Sequence, residues 1–91
     1  MVTGAEVWVE AKESYPVGAI VEADVTLRVV FGIFVELDRF PSVSAIVDIA
    51  SYRPDGAIFT PEELPPVGTR IRARVVEHNE RTQQIKLRVG P

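Results

Sequence analysis

The chain lacks cysteine altogether, has one histidine and one methionine, and contains no apolar run long enough to cross a bilayer. Without thiols there can be no disulfide framework, thiolate zinc site or cysteine nucleophile, and a reducing, cytoplasmic setting is the expectation. The opening segment MVTGAEVWVEAKE is acidic, not basic then apolar, so it does not read as a secretory leader. A strong basic excess is missing too, since the net charge is −3, whereas phosphate binding draws on cationic charge. What is present is a 91-residue chain that is 46% hydrophobic and 25% charged. That length allows one core and that composition is globular.

The charge is unevenly placed. Residues 1–68 carry 4 Lys and Arg against 11 Asp and Glu, net −7; residues 69–91 carry 6 against 2, net +4. An acidic front is followed by a basic tail.

Period-2 alternation dominates the pattern. Val21-Glu22-Ala23-Asp24-Val25-Thr26-Leu27-Arg28-Val29 has every odd residue apolar, which predicts a half-buried strand with Arg28 pointing outward. Ile33-Phe34-Val35-Glu36-Leu37-Asp38 follows across Val30-Phe31-Gly32, predicting a tight antiparallel pair with Gly32 at the bend. Ser44 to Ile49 is a third, mostly apolar strand; Arg70 to Val75 and Gln84 to Val89 are the fourth and fifth. Glu77 to Gln83 reads as the loop between the last two. Thr60-Pro61-Glu62-Glu63 carries an N-cap, a first-position proline and a capping glutamate, predicting one helical turn that Pro65 and Pro66 end. Five short strands with a single helical turn between the third and fourth predict an all-β, five-stranded antiparallel barrel over residues 16–91. Residues 1–15 form an N-terminal extension in which Val7-Trp8-Val9 either adds an edge strand or covers one end of the barrel.

On these residues the chain resembles the S1 RNA-binding domain family, whose fold is the oligonucleotide-binding (OB) barrel. The resemblance runs from Pro16 to Val89 and rests on Val17-Gly18, Val30-Phe31-Gly32-Ile33-Phe34-Val35, Ala45-Ile46-Val47-Asp48-Ile49-Ala50, Pro66-Val67-Gly68 and Val75-Val76-Glu77-His78-Asn79 leading to Ile85-Lys86-Leu87. It implies an RNA surface on which Phe31 and Phe34 occupy the aromatic positions. Asp48 stands where the family carries histidine, Asn79 where it carries aspartate, and Gln84 where it carries arginine. An anion at Asp48 repels phosphate, so the resemblance implies weak binding of single-stranded RNA. Phe31 and Phe34 would stack bases and Asn79 and Gln84 would hydrogen-bond to bases or sugars, while Arg28, Lys86 and Arg88 would meet phosphates.

The residues support part of this directly. Phe34 shares parity with Glu36 and Asp38, so it is expected to point outward as a stacking platform. Arg70, Arg72 and Arg74 form a basic stripe, but in this fold the fourth strand pairs with the first, so Glu22 and Asp24 are expected to absorb part of that charge. His78 is expected to be an exposed loop residue, and the Glu36/Asp38 and Glu62/Glu63 pairs to be solvated or helix-start residues. No triad spacing, phosphate-cradling loop or metal cluster appears, so neither catalysis nor a cofactor is expected. The competing expectation is a barrel converted to protein recognition within translation or RNA-processing machinery, anchored by Val7-Trp8-Val9 or Phe40-Pro41. Either way a monomer that does not engage membranes is expected.

Overall fold

A computed structural model describes residues 4–52 and 64–89 of the chain. The order of elements is α1 (Gly4–Ser14), β1 (Ile20–Val29), β2 (Gly32–Leu37), β3 (Ser44–Tyr52), β4 (Arg70–Asn79) and β5 (Gln84–Val89). The strands close into a barrel in the order β1-β2-β3-β5-β4. Four seams are antiparallel, as the alternation predicts; the seam between β3 and β5 is parallel. The expected turn at Thr60 to Glu63 lies outside the described residues.

Alternation decides what goes inside. Val21, Ala23 and Val25 of β1, Ile33, Val35 and Leu37 of β2, and Ile71, Ala73 and Val75 of β4 all face the core. Ala45 and Val47 of β3 meet Ile85 and Leu87 of β5 there. Two nearly identical turns bracket the β1–β4 seam, in Pro16-Val17-Gly18-Ala19 and Pro66-Val67-Gly68-Thr69. In each, the proline carbonyl accepts from the amide three residues on, at 2.9 and 3.1 Å. Gly18 N donates to Val75 O and Gly68 N to Val25 O, both at 2.8 Å, so the turn leading into β1 is stitched to β4 and the turn leading into β4 to β1.

Three local features depart from the sequence expectations. Val7-Trp8-Val9 is helical, within α1, and of its two expected placements it takes the packed cover on the barrel and not the edge strand. Trp8, Ala11 and Tyr15 recur at helical spacing, and the first two are buried in the barrel core with Tyr15 packed against it. Glu6 in the first turn and Lys12 in the last suit the helix dipole. β4 runs on to Asn79, so the last hairpin loop is shorter than the expected Glu77–Gln83. β1 contains a bulge: Val25 pairs with Val35 but Leu27 pairs with Phe34, leaving Thr26 as an extra residue. A bulge shifts parity by one. Leu27 is therefore 51% exposed, while Arg28 pairs with the fully buried Ile33 and shares its face.

Candidate nucleic-acid interface

The outer face of β2, β3 and β5 brings together most of the residues singled out from the sequence. Register sets one row across it, Leu27, Phe34, Ile46, Lys86 and Glu77, each paired with the next. Phe34 is half-buried in this row, pointing outward as its parity predicts. Phe31 sits in the β1–β2 turn and is 51% exposed. The two rings meet edge to face, with centroids 6.2 Å apart and planes at 82°. That geometry stabilises both rings in place, by about 0.5–1.5 kcal/mol beyond their area. Ile46 lies beneath the row between Phe34 and Lys86 and is only 6% exposed although it faces away from the barrel interior.

Gly32 lets this hairpin lie close to β3. A Cβ on Gly32 would strike the Val47 carbonyl oxygen and come within 3.0 Å of Asp48 Cα. No side chain fits between the strands there. Gly32 pairs with Asp48, which is thereby held half-buried immediately beside the aromatic pair.

A second row, Ser44, Gln84 and Asn79, borders the first. Gln84 Nε2 donates to Ser44 Oγ at 3.2 Å and its Oε1 accepts from Thr82 Oγ1 at 3.3 Å. Asn79 Oδ1 accepts from the amides of Arg81 and Thr82, both at 3.1 Å. Its oxygen is thus committed to the turn. The Asn79 side-chain amine remains as a donor.

The expected cations divide. Arg28 does not stand on the outer face: the Thr26 bulge swings it toward the barrel end, where Nη1 donates to the Leu64 carbonyl at 3.0 Å. Lys86 lies 3.9 Å from Glu77. Arg88 is exposed and makes no ion pair with the described residues. Of the β4 stripe, Arg70 alone is absorbed by carboxylates of the described residues, at 2.7 Å from Asp38, 3.2 Å from Asp24 and 3.8 Å from Glu22. The hydrogen bond donated by Arg70 holds the Asp38 carboxyl below its ordinary value, and the bonds Arg70 donates to Asp38 and Asp24 push its own guanidinium further up.

His78 is not an exposed loop residue. It lies half-buried in β4, and because a carbonyl can only accept, its Nε2 donates to Tyr15 O at 2.7 Å. Beside it, Trp8 Nε1 donates to Glu80 Oε1 at 3.0 Å and Lys12 Nζ reaches Glu80 Oε2 at 2.8 Å. The Lys12 hydrogen bond, then that of Trp8, lowers the Glu80 carboxyl. These contacts fasten α1 to the β4–β5 hairpin. Of the apolar anchors expected for protein recognition, Trp8 and Phe40 are buried at 4% and 9% exposure, while Val9 is 47% exposed and Pro41 is exposed.

Known proteins share this architecture. A family model described as S1 RNA binding domain matches residues 14–90. A chain of the a/eIF2alpha–aDim2p–rRNA complex from Pyrococcus horikoshii OT3 is similar at 26% identity and a TM-score of 0.71, over 84% of this chain and 45% of that one. GSP13 from Bacillus subtilis is similar at 25% identity and 0.67, over 82% of this chain and 55% of that one. Mycoplasma genitalium RNase R, solved with ribose methylated single-stranded RNA, shares the fold at 17% identity and 0.70, over 93% of this chain and 14% of that one. No curated protein matches.

Proposed function

Because this chain belongs to the S1 RNA-binding-domain family, we propose that it is a non-catalytic module that binds single-stranded RNA weakly on the β2–β3–β5 face. The observation that carries this is the edge-to-face pair of exposed Phe31 and half-buried, outward-facing Phe34 beside Gly32. Aromatic platforms of this kind accept successive bases of any sequence. Gln84 and the Asn79 amine border the platform and supply hydrogen bonds to bases or ribose hydroxyls. Lys86 and Arg88 supply phosphate contacts, whereas Arg28 keeps its place on the Leu64 carbonyl.

Weakness follows from charge. Asp48 places a carboxylate next to the platform, and Glu77 offsets Lys86. The partner within the cell would be RNA of the translation or RNA-processing apparatus, in keeping with the relatives solved in an rRNA complex and with RNA, and the cysteine-free composition accords with the cytoplasm.

An amide chemical-shift titration with a short mixed-sequence single-stranded RNA at low salt tests this. Shifts should cluster on Phe31, Phe34, Asp48 and β5, and Phe34→Ala should weaken binding by about 5- to 150-fold, the loss of one stacked base. Silence up to millimolar RNA, or shifts confined to α1, would refute it.

A further inference from the structure

The basic stripe on β4 divides in a way the sequence does not show. Register sets Asp24 opposite Arg70 and Glu22 opposite Arg72, yet all three ion pairs from those acids and Asp38 converge on Arg70. Arg72 closes no ion pair with the described residues, although Glu22 faces it. Among the described residues Arg74 donates only to the Gly18 carbonyl, at 3.3 Å. Across the β4–β5 seam Arg74 stands directly opposite Arg88, a like-charge pairing that costs the fold stability. With Ile20, which is 45% exposed, and Ala73, these three arginines line one shallow surface depression.

This depression is continuous with the aromatic face. β5 belongs to both, carrying Lys86 in the row of Phe34 and Arg88 one step further along the same outer side. The opposite end is acidic: α1 presents Glu10 and Glu13 to solvent there, while Glu80 at its foot is paired with Lys12. A polyanion on the platform is therefore repelled at one end and attracted at the other.

Resting on the single-stranded RNA reading above, we propose that the bound strand leaves the Phe31–Phe34 platform across β5 and lays its phosphates on Arg88, Arg74 and Arg72. From β2 to β4 by way of β3 and β5 is three strand spacings, about 14 Å. Such a path suits a strand of several nucleotides, within the roughly 4–16 that one OB barrel holds. A phosphate between Arg74 and Arg88 also relieves their mutual repulsion.

The test compares a uridine trimer, long enough only for the platform, with a uridine decamer that reaches β4, by fluorescence anisotropy over a range of salt. Each lost phosphate contact on a single strand lowers the slope of log affinity against log salt by about 0.7. R72Q/R74Q should lower the decamer slope by about 1.4, so the variant loses about sevenfold less affinity than the wild type across a fourfold rise in salt. Its trimer affinity should be unchanged, and R72K/R74K should retain the decamer slope, separating charge from any effect on folding. An unchanged decamer slope, or equal effects on both lengths, would overturn the β4 path. If Phe34→Ala weakens both oligomers while R72Q/R74Q changes neither, the path fails and the platform stands. If the wild type binds neither, the platform reading fails and takes the path with it.

Discussion

Replacing Trp8 by alanine should destabilise the whole domain, although Trp8 lies outside the barrel strands. Its side chain is 4% exposed and joins Ala11 in the same cluster as the β-strand core. Truncating a buried tryptophan to alanine costs about 3–5 kcal/mol. Loss of the indole hydrogen bond adds little, because the Glu80 side chain is 64% exposed and water can replace it. A domain of this size has roughly 5–15 kcal/mol in total. For 60–100 residues each kcal/mol moves the melting temperature by about 4–8 °C, so Trp8→Ala should lower it by about 12 °C or more. Circular dichroism melts measure this. Trp8 is also the only tryptophan, so wild-type emission reports the helix while dichroism reports the strands, and the two transitions should coincide. A drop of less than about 4 °C, or tryptophan emission that shifts well before the strands melt, would refute the docking of α1 as part of the core.

Gly32→Ala should destabilise by about 1–3 kcal/mol, since the added methyl overlaps the Val47 carbonyl and forces β2 from β3; urea denaturation giving an unchanged midpoint would contradict this close approach. Acid should weaken the fold through Asp38 and Glu80. Both carboxyls are held below their ordinary values of 3.8 and 4.5 by hydrogen bonds from Arg70 and Lys12 respectively. Their stabilising contribution is present above those values and is lost as pH falls through the lowered ones. Melting temperatures of Glu80→Gln should therefore vary less with pH in the acid range than those of the wild type; parallel curves would show that the tie from Lys12 and Trp8 to Glu80 does not act on stability.

The barrel was legible because its signal is long. β1, β2, β4 and β5 each alternate over six or more residues, and an outward Phe34 follows from parity with Glu36 alone. The helix was not legible for the opposite reason. Val7-Trp8-Val9 spans three residues, a window in which strand and helix periods both fit, and the deciding spacing of Trp8, Ala11 and Tyr15 runs beyond it. The Thr26 bulge leaves no trace in the pattern, since Val21 to Val29 alternates without a break while the chain changes face midway. That hidden step misplaced Arg28. The Asn79 role was readable in principle, because an asparagine opening a polar hairpin commonly accepts from amides two and three residues on. The arginine stripe was legible in part: the pairing of β4 with β1 puts Glu22 and Asp24 on Arg70 as expected, whereas Asp38 follows the end of β2 and reaches Arg70 only when the barrel is folded.

The β1 bulge also acts as a register shim. With Thr26 in place, Leu27 flanks Phe34 with an apolar side chain and Arg28 is turned to the barrel end. Were the bulge closed with every residue kept, so that Thr26 itself stood opposite Phe34, the unbroken alternation of the sequence would turn the leucine inward and the arginine outward. Where one spare peptide unit is accommodated thus determines whether the strip beside the aromatic pair is greasy or cationic, and this face can be retuned by register without any substitution.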